Sequence, residues 1–600
     1  MATIETSQSP NNASMYQRFF TYVGLLLMIG IAVGGLSTAF GGASAGIGDP
    51  KNPVNPGDTA WVLTGSALVM LMTPVVGLFY GGLVTSKNVV SLIKQSLLIL
   101  AVVSIQWILI GYSLVFGPDF HGIIGDLSLF GLRGVGYATS PYAPTIPQSA
   151  FMIFQAMGAI IAPALIIGSI AERIRFRTLV LFVLLWTTLV YDPIAHWVVG
   201  NGGWLQRMHA LDFAGGTFVH AAAGFSGLAA AIVIGKRRDF KIGEAIASHN
   251  VPFVLIGAGI LWFGWLGFNG GSALQASPLA VNAFLVTNTS GAAGALVWML
   301  LSWVENKKPS AMATAIGAVC GLIAITPASG YVGPMASIAI GTIAGVVTYL
   351  ALHLRSKYLP IDDTLDVWAA HGMGGVTGII LAGVFAENAI NPNANSGLLF
   401  GNPGQLGVQI LAAFVTLTFA FIVTFILFTL LAPLGLRVSW QEEKEGLDVA
   451  THGEEAYRWA DPQEEPESLA SPQGQLDWPA TPGVWKGEGR IAQPAVATTG
   501  LDLQMGVPNS MFHDQLQSET APVSQKLEAE NGELRQRLDV ANDRLRQLLE
   551  AENSELRMRL HSETAELRLQ LEMANGGRVV SSNTSSLRQF VPPSPTKRVV

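Results

Sequence analysis

The stretch Asp212-Phe-Ala-Gly-Gly-Thr-Phe-Val-His220-Ala-Ala-Ala-Gly224-Phe-Ser-Gly227 sets one histidine in an apolar, glycine-rich run. A second stretch, Asp366-Val-Trp-Ala-Ala-His371-Gly-Met-Gly-Gly375-Val-Thr-Gly378, echoes it, and aligned on the histidine both read His-x3-Gly-x2-Gly. Both lie in segments hydrophobic enough to span a membrane. A charged side chain at the centre of such a helix costs roughly 2.5–3.5 kcal/mol on insertion scales, so an ionisable residue there is a candidate functional group. Two of them at matching places in two half-chains predict a paired site at a repeat interface.

Working outward, the 600 residues are 50 % hydrophobic and 12 % charged, with a mean hydropathy of +0.43. Soluble chains carry about 25 % charge, so this is a polytopic membrane protein with polar additions. Its 66 glycines suit helices packed backbone to backbone. Cys320 is the single cysteine, which excludes an intramolecular disulfide framework and most thiolate metal sites. The net charge of −7 comes from the tail.

Apolar runs of spanning length recur at about 60–83, 92–116, 149–170, 178–198, 213–235, 251–271, 284–304, 311–328, 335–354, 368–387 and 405–433. Lys87, Arg173, Arg175, Arg177, Lys236, Arg237, Arg238, Lys241, Lys307, Lys308, Arg355, Lys357 and Arg437 fall in one set of connections. Only Arg133 and Arg207 fall in the alternate set. The positive-inside rule then puts the mature N-terminus outside and the C-terminus in the cytoplasm, and an odd number of spans agrees in putting them on opposite sides. The predicted fold is an all-α polytopic membrane protein of eleven transmembrane helices in the plasma (cell inner) membrane. Spans one to five and six to ten form an inverted repeat: Phe79-Tyr-Gly-Gly82 in span one answers Phe268-Asn-Gly-Gly271 in span six.

Before the first span, Arg18, the apolar run Phe19–Val33 and Ala43-Ser44-Ala45 predict a signal peptide over 1–45. An extra membrane helix reaching Phe40 is the alternative. The membrane domain then occupies 46–437.

The two histidines are expected to face each other near the midplane. Neutral imidazoles have one donor and one acceptor each, so they share a hydrogen bond and offer the remaining nitrogens to a small solute or a proton relay. Two buried core histidines on separate helices are the plainer alternative. A metal site is a poor fit, because the nearest carboxylates are one or two turns away and no cysteine is near. Asp212 and Asp366 lie toward the ends of their spans. An acidic residue there is often a helix N-terminal cap or dipole partner, and Asp212 reads equally as such a cap or as a negative field near the outer mouth that favours a cation.

Ala171-Glu-Arg-Ile-Arg-Phe176, Asp212 to His220, Trp265-Leu-Gly-Phe268-Asn-Gly-Gly-Ser272, Thr326-Pro-Ala-Ser-Gly330, Asp366 to Gly372 and Glu445-Gly-Leu-Asp448-Val-Ala-Thr-His452-Gly-Glu454-Glu-Ala-Tyr457 together resemble the ammonium transporter/methylammonium permease/Rhesus family, on its ammonium transporter side. The resemblance covers roughly 55–460. It implies a homotrimer, one narrow pore per subunit, and ammonium that is recruited outside, loses its proton and passes twin histidines as ammonia. It makes His220 and His371 the pore histidines, Asp212, Ser272 and Trp265 the recruitment site, Phe268 the lower gate aromatic, Thr326 a pore-lining polar contact and Asp366 a structural or field group. It also implies a cytoplasmic regulatory segment at 438–460, with Gly446, Asp448, His452, Glu454 and Tyr457, and a PII-type signalling protein as partner. Two positions depart from the family: Gly158 and Val199 stand where the outer site usually has aromatics. The expected consequence is weaker recruitment of ammonium, since cation–π contacts are worth about 0.5–2 kcal/mol each. Trp197 and Trp204 are the candidate substitutes.

Residues 461–523 read as a linker rich in Glu, Pro, Gln, Ser and Gly. Within 524–575, leucines 534, 545, 556 and 567, and 538, 549, 560 and 571, recur every eleven residues. That period predicts a right-handed coiled coil, three-stranded if tethered to a trimer; a single solvated helix is the alternative. Residues 576–600 are a basic tail able to meet anionic membrane lipid. Three functions compete: ammonium/ammonia transport, an ammonium sensor signalling through the tail, and a Rhesus-type neutral gas channel. Nothing in the sequence suggests an enzyme, a cofactor, a metal or nucleic-acid binding.

Overall fold

A computed structural model describes residues 54–243 and 248–457, together with the isolated helical positions Ser554, Ser562, Thr564 and Ala565. The expected signal peptide, linker and basic tail lie outside the described residues, and so does nearly all of the expected coiled coil. Among the described residues, ten helices are long and apolar enough to cross a membrane: α1 (Pro56–Leu83), α2 (Ser86–Phe116), α3 (Gln148–Ile170), α4 (Phe176–Arg207), α5 (Gly216–Ile234), α6 (Val251–Gly271), α7 (Pro278–Asn306), α9 (Pro334–Tyr358), α10 (Trp368–Phe385) and α11 (Pro403–Leu434). The shorter apolar helix α8 (Ala311–Ile325) completes the eleven expected from the sequence. A two-stranded hairpin, β1 (Asp119–Phe120) with β2 (Ile124–Gly125), sits in the α2–α3 connection, and a short helix α12 (Trp440–Glu445) follows α11.

Several boundaries differ from expectation, three of them for a plain local reason. Helix α5 starts at Gly216 rather than near 213, because Asp212 folds the preceding residues into a turn that caps the helix. Helix α7 starts at Pro278, six residues early, where the Ser277 side chain accepts from Ala280 N. Helix α8 stops at Ile325, and Thr326–Gly330 form a turn rather than a last helical turn.

The His-x3-Gly-x2-Gly elements pack as mirror counterparts. A Cβ on Gly224 would sit 2.0 Å from Gly372 N, the residue after His371, and a Cβ on Gly375 would sit 2.8 Å from Ala221 N, the residue after His220. Three residues further on, a Cβ on Gly227 would meet Ser169 Oγ of α3 at 2.3 Å, and one on Gly378 would meet the Ala324 carbonyl of α8 at 2.2 Å. Helices α3 and α8 are themselves counterparts in a five-plus-five repeat. The motif is therefore a packing device: its first glycine lets the two histidine-bearing backbones touch, and its second seats each against the third helix of a half.

Both histidines lie on π-helical turns, Gly216–Ala221 and Trp368–Met373. Such turns put one extra residue in the helix and often mark functional sites.

Candidate functional site

His220 and His371 meet, with their Nδ1 atoms 3.4 Å apart and ring centroids 5.4 Å apart. They are 1 % and 5 % exposed. A close approach of two Nδ1 atoms requires one to donate and the other to accept, so the pair shares a proton. His220 Nε2 has no partner within the protein and is enclosed. That leaves a buried hydrogen-bonding nitrogen that no protein group satisfies.

Aromatic rings pack around the His220 ring. Trp265 stacks on His220 with centroids 5.2 Å apart at 24°, and Phe268, one turn along α6, meets His220 edge-on at 6.3 Å. Trp265 Nε1 donates to Thr326 Oγ1 at 2.8 Å, and that hydroxyl donates to the Leu322 carbonyl, also at 2.8 Å. The family resemblance puts Trp265 at the outer recruitment site; the structure instead places it beside the histidine pair, because α6 turns residues 265 and 268 to one face. Ser272 lies one turn beyond Phe268 and is half-exposed, its hydroxyl donating to the Phe268 carbonyl at 2.9 Å.

Asp212 is 7 % exposed. It accepts from Gly215 N and Gly216 N at 2.8 Å and from Thr217 N at 2.7 Å. Of its two readings, the geometry favours the cap. Burial pushes its carboxyl up, against the pull of the hydrogen bonds from Thr217, Gly215 and Gly216. Its counterpart is not Asp366 but Asp363. Asp363 Oδ2 accepts from Trp368 N at 2.8 Å, five residues on, as Asp212 accepts from Thr217. Each capping carboxylate is eight residues before its histidine, a spacing present in the sequence but missed because Asp366 is nearer. Asp366 instead binds Arg355 Nε at 2.6 Å.

At Gly158 a Cβ would meet only Tyr191 Oη at 3.1 Å and Val219 Cγ2 at 3.9 Å. A tyrosine from α4 thus stands beside the position where the family usually has an aromatic. Val199 is half-exposed. Trp197 turns toward α11, 4.8 Å from Phe419, and donates to the Ile123 carbonyl at 2.8 Å, while Trp204 packs against Trp197 at 5.9 Å.

On the basic face, the segment after α11 docks against the helices. Asp448 caps α2, accepting from Ser91 N at 2.7 Å and Val90 N at 3.1 Å. Gly446 has φ 108° and lies where a Cβ would fall 2.6 Å from Lys87 Cβ, so only glycine fits. Tyr457 Oη lies 2.9 Å from His249 Nε2, and the His452 ring meets Phe176 edge-on at 5.3 Å. Glu454 is exposed, and its backbone N–H donates to the Asp448 carbonyl at 3.1 Å.

Beneath it, three connections are tied by buried charges. Arg237 pairs with Asp362 at 2.8 Å and Glu172 at 2.7 Å. Arg173, wholly buried, donates to the carbonyls of Gly235 at 2.9 Å and Ser169 at 3.0 Å, and burial pulls its guanidinium down to about 10.

Residues 60–457 match the Ammonium Transporter Family. The chain is 47 % identical over 405 residues to the Archaeoglobus fulgidus protein "Ammonium transporter Amt1", covering 67 % of this chain and 100 % of that one. Among solved structures, Saccharomyces cerevisiae Mep2 superposes with a TM-score of 0.62 at 36 % identity, covering 66 % of this chain and 90 % of that one. A structure described as "Sensor Amt Protein" gives 0.61 at 31 % identity, covering 66 % and 98 %. With the paired histidines, their mirrored glycines and the docked C-terminal segment in place, the chain belongs to the ammonium transporter family.

Proposed function

We propose that the protein moves ammonium across the membrane by passing ammonia through the space beside His220 and His371. The observation that carries the mechanism is the unpartnered His220 Nε2 next to a proton-sharing histidine contact, walled by Trp265 and Phe268. A buried nitrogen without a partner is costly, and a small neutral solute with donors and an acceptor completes it. Apolar walls disfavour a bare cation, so ammonium gives up its proton before the rings, and the Nδ1–Nδ1 contact offers that proton a route. Phe268 is the gate, Ser272 the outer hydroxyl, and Thr326 holds Trp265 in its stack. Asp212 and Asp363 hold the histidine-bearing turns. The functional unit is a homotrimer in the cell membrane, as the family resemblance implies, and the docked segment from Gly446 to Tyr457 is the face offered to a PII-type partner.

The test is ammonium-evoked current in proteoliposomes. Wild type is expected to give a saturating current, and His220→Ala and His371→Ala to lose or alter it by about a hundredfold, the low end for a positioned acid–base group. Full current in both variants would sink the mechanism. A second reading, an ammonium sensor, is favoured by Gly158 and Val199. Saturable ammonium binding with neither current nor ammonia flux would select it, and ammonia flux without current would select a gas channel.

A further inference from the structure

A cavity of 430 Å³ reaches from the basic α7–α8 connection to His371. Phe79, Glu305, Tyr349, His353 and Asp366 line it along the way. Glu305 accepts hydrogen bonds from the Tyr349 hydroxyl and from Lys357 Nζ at 3.4 Å, and its two oxygens lie 3.1 and 2.9 Å from His353 Nε2. His353 Nδ1 lies 2.9 Å from the Tyr349 carbonyl. A carbonyl only accepts, and so does an ionised carboxylate. Both ring nitrogens therefore face acceptors, an arrangement that only a ring carrying a proton on each nitrogen satisfies in full. An ion pair this exposed, 23 % and 40 %, contributes little to stability. Its place on the wall of a cavity that ends at a pore histidine is what gives it a use.

We propose that His353 and Glu305 are a proton-delivery station at the inner mouth of the pore, where ammonia is converted to ammonium. Ammonia leaving His371 takes the proton of His353 Nε2: the Nε2–H bond breaks, a new N–H bond forms on ammonia, and the ring is left neutral. Ammonium departs past the Glu305 carboxylate, and cytosolic water returns a proton to the ring. This rests on the transport reading above. The other titratable groups facing the cavity are Tyr80, whose hydroxyl donates to the Leu165 carbonyl at 3.1 Å, Asp366, held by Arg355 at 2.6 Å, and His371; Lys357 flanks the pair itself.

The experiment uses the full chain in lipid. Ring-15N histidine spectra at about pH 6.5, the ordinary histidine value, are expected to show an imidazolium that vanishes in His353→Gln and is depleted in Glu305→Gln. Ammonium current is then measured while inner-side and outer-side pH are varied separately. His353→Gln is expected to lower the current about tenfold, less than a secluded acid–base group would because water reaches the mouth, and to flatten the inner-side pH profile alone. A neutral ring at position 353 in wild type overturns the proposal. So does an inner-side profile unchanged in both variants when each melts like wild type. A wild-type chain with neither current nor ammonia flux overturns the transport reading, and the delivery step with it, while the imidazolium signal still decides separately whether the pair holds its proton.

Discussion

At Gly224 the nearest atom a Cβ would meet is backbone, 2.0 Å away, and backbone cannot swing aside as a long side chain can. Gly224→Ala is expected to force the two π-helical turns apart. Overpacking costs about 1–3 kcal/mol, so the variant should melt earlier and lose transport together. An alanine there that leaves both unchanged would show that the turns tolerate separation. Gly158 makes the opposite prediction, because the space beside it is open except toward Tyr191 and Val219. Gly158→Phe, combined with Val199→Trp, is expected to tighten apparent ammonium affinity. The gain is about 0.5–2 kcal/mol per cation–π contact, or roughly two- to thirtyfold each. Concentration dependence of the current checks it, and an unchanged or weaker affinity would mean that Tyr191 already supplies the aromatic contact.

At the scale of elements, the docked segment is held by a helix cap, a glycine turn and two aromatic contacts. Asp448→Ala removes the acceptor at the start of α2, a loss of about 0.5–2 kcal/mol, and should expose residues 440–457 to faster hydrogen exchange. His452 gives the segment a pH response. Burial, with Lys94 nearby, lowers its pKa, against the pull of Glu454. A histidine lowered in the docked state binds fewer protons there than when free, so docking is at full strength above the ordinary value near 6.5. It weakens as pH falls through that value. Relative to the intrinsic rate at each pH, hydrogen exchange of residues 440–457 should therefore rise on acidification in wild type and stay flat in His452→Phe, which keeps the contact with Phe176. A parallel rise in both would assign the effect to another group.

For the whole molecule, the repeat brings the two histidines together and the buried charges lock the basic face. Burial alone would raise the carboxyls of Glu172 and Asp362. Arg237 outweighs it at both, joined by Thr85 at Glu172 and by Arg173 at Asp362, and holds both low. Carboxyls depressed in the folded state stabilise it above their ordinary value near 4, and that contribution is lost as pH falls through the depressed values. Thermal stability should thus hold across neutral pH and drop only in strong acid. Arg237→Ala should cost about 3–5 kcal/mol, because it strands two buried carboxylates. A melting temperature close to wild type at neutral pH would mean the connections are fastened elsewhere.

The eleven spans, their common basic face, the histidine pair and the inverted repeat were legible in the sequence. Hydrophobic run length, charge placement and motif spacing are one-dimensional signals, and the membrane turns them directly into topology. What tertiary structure alone decided was partnership. It placed Trp265 on His220 rather than at the mouth, made Asp363 the counterpart of Asp212, and set Tyr191 beside Gly158. It also brought Glu305 and His353, 48 residues apart, into contact on one cavity wall. These depend on which face each helix turns inward. A helix hydrophobic all round does not encode that in its pattern, and only the packing of its neighbours settles it.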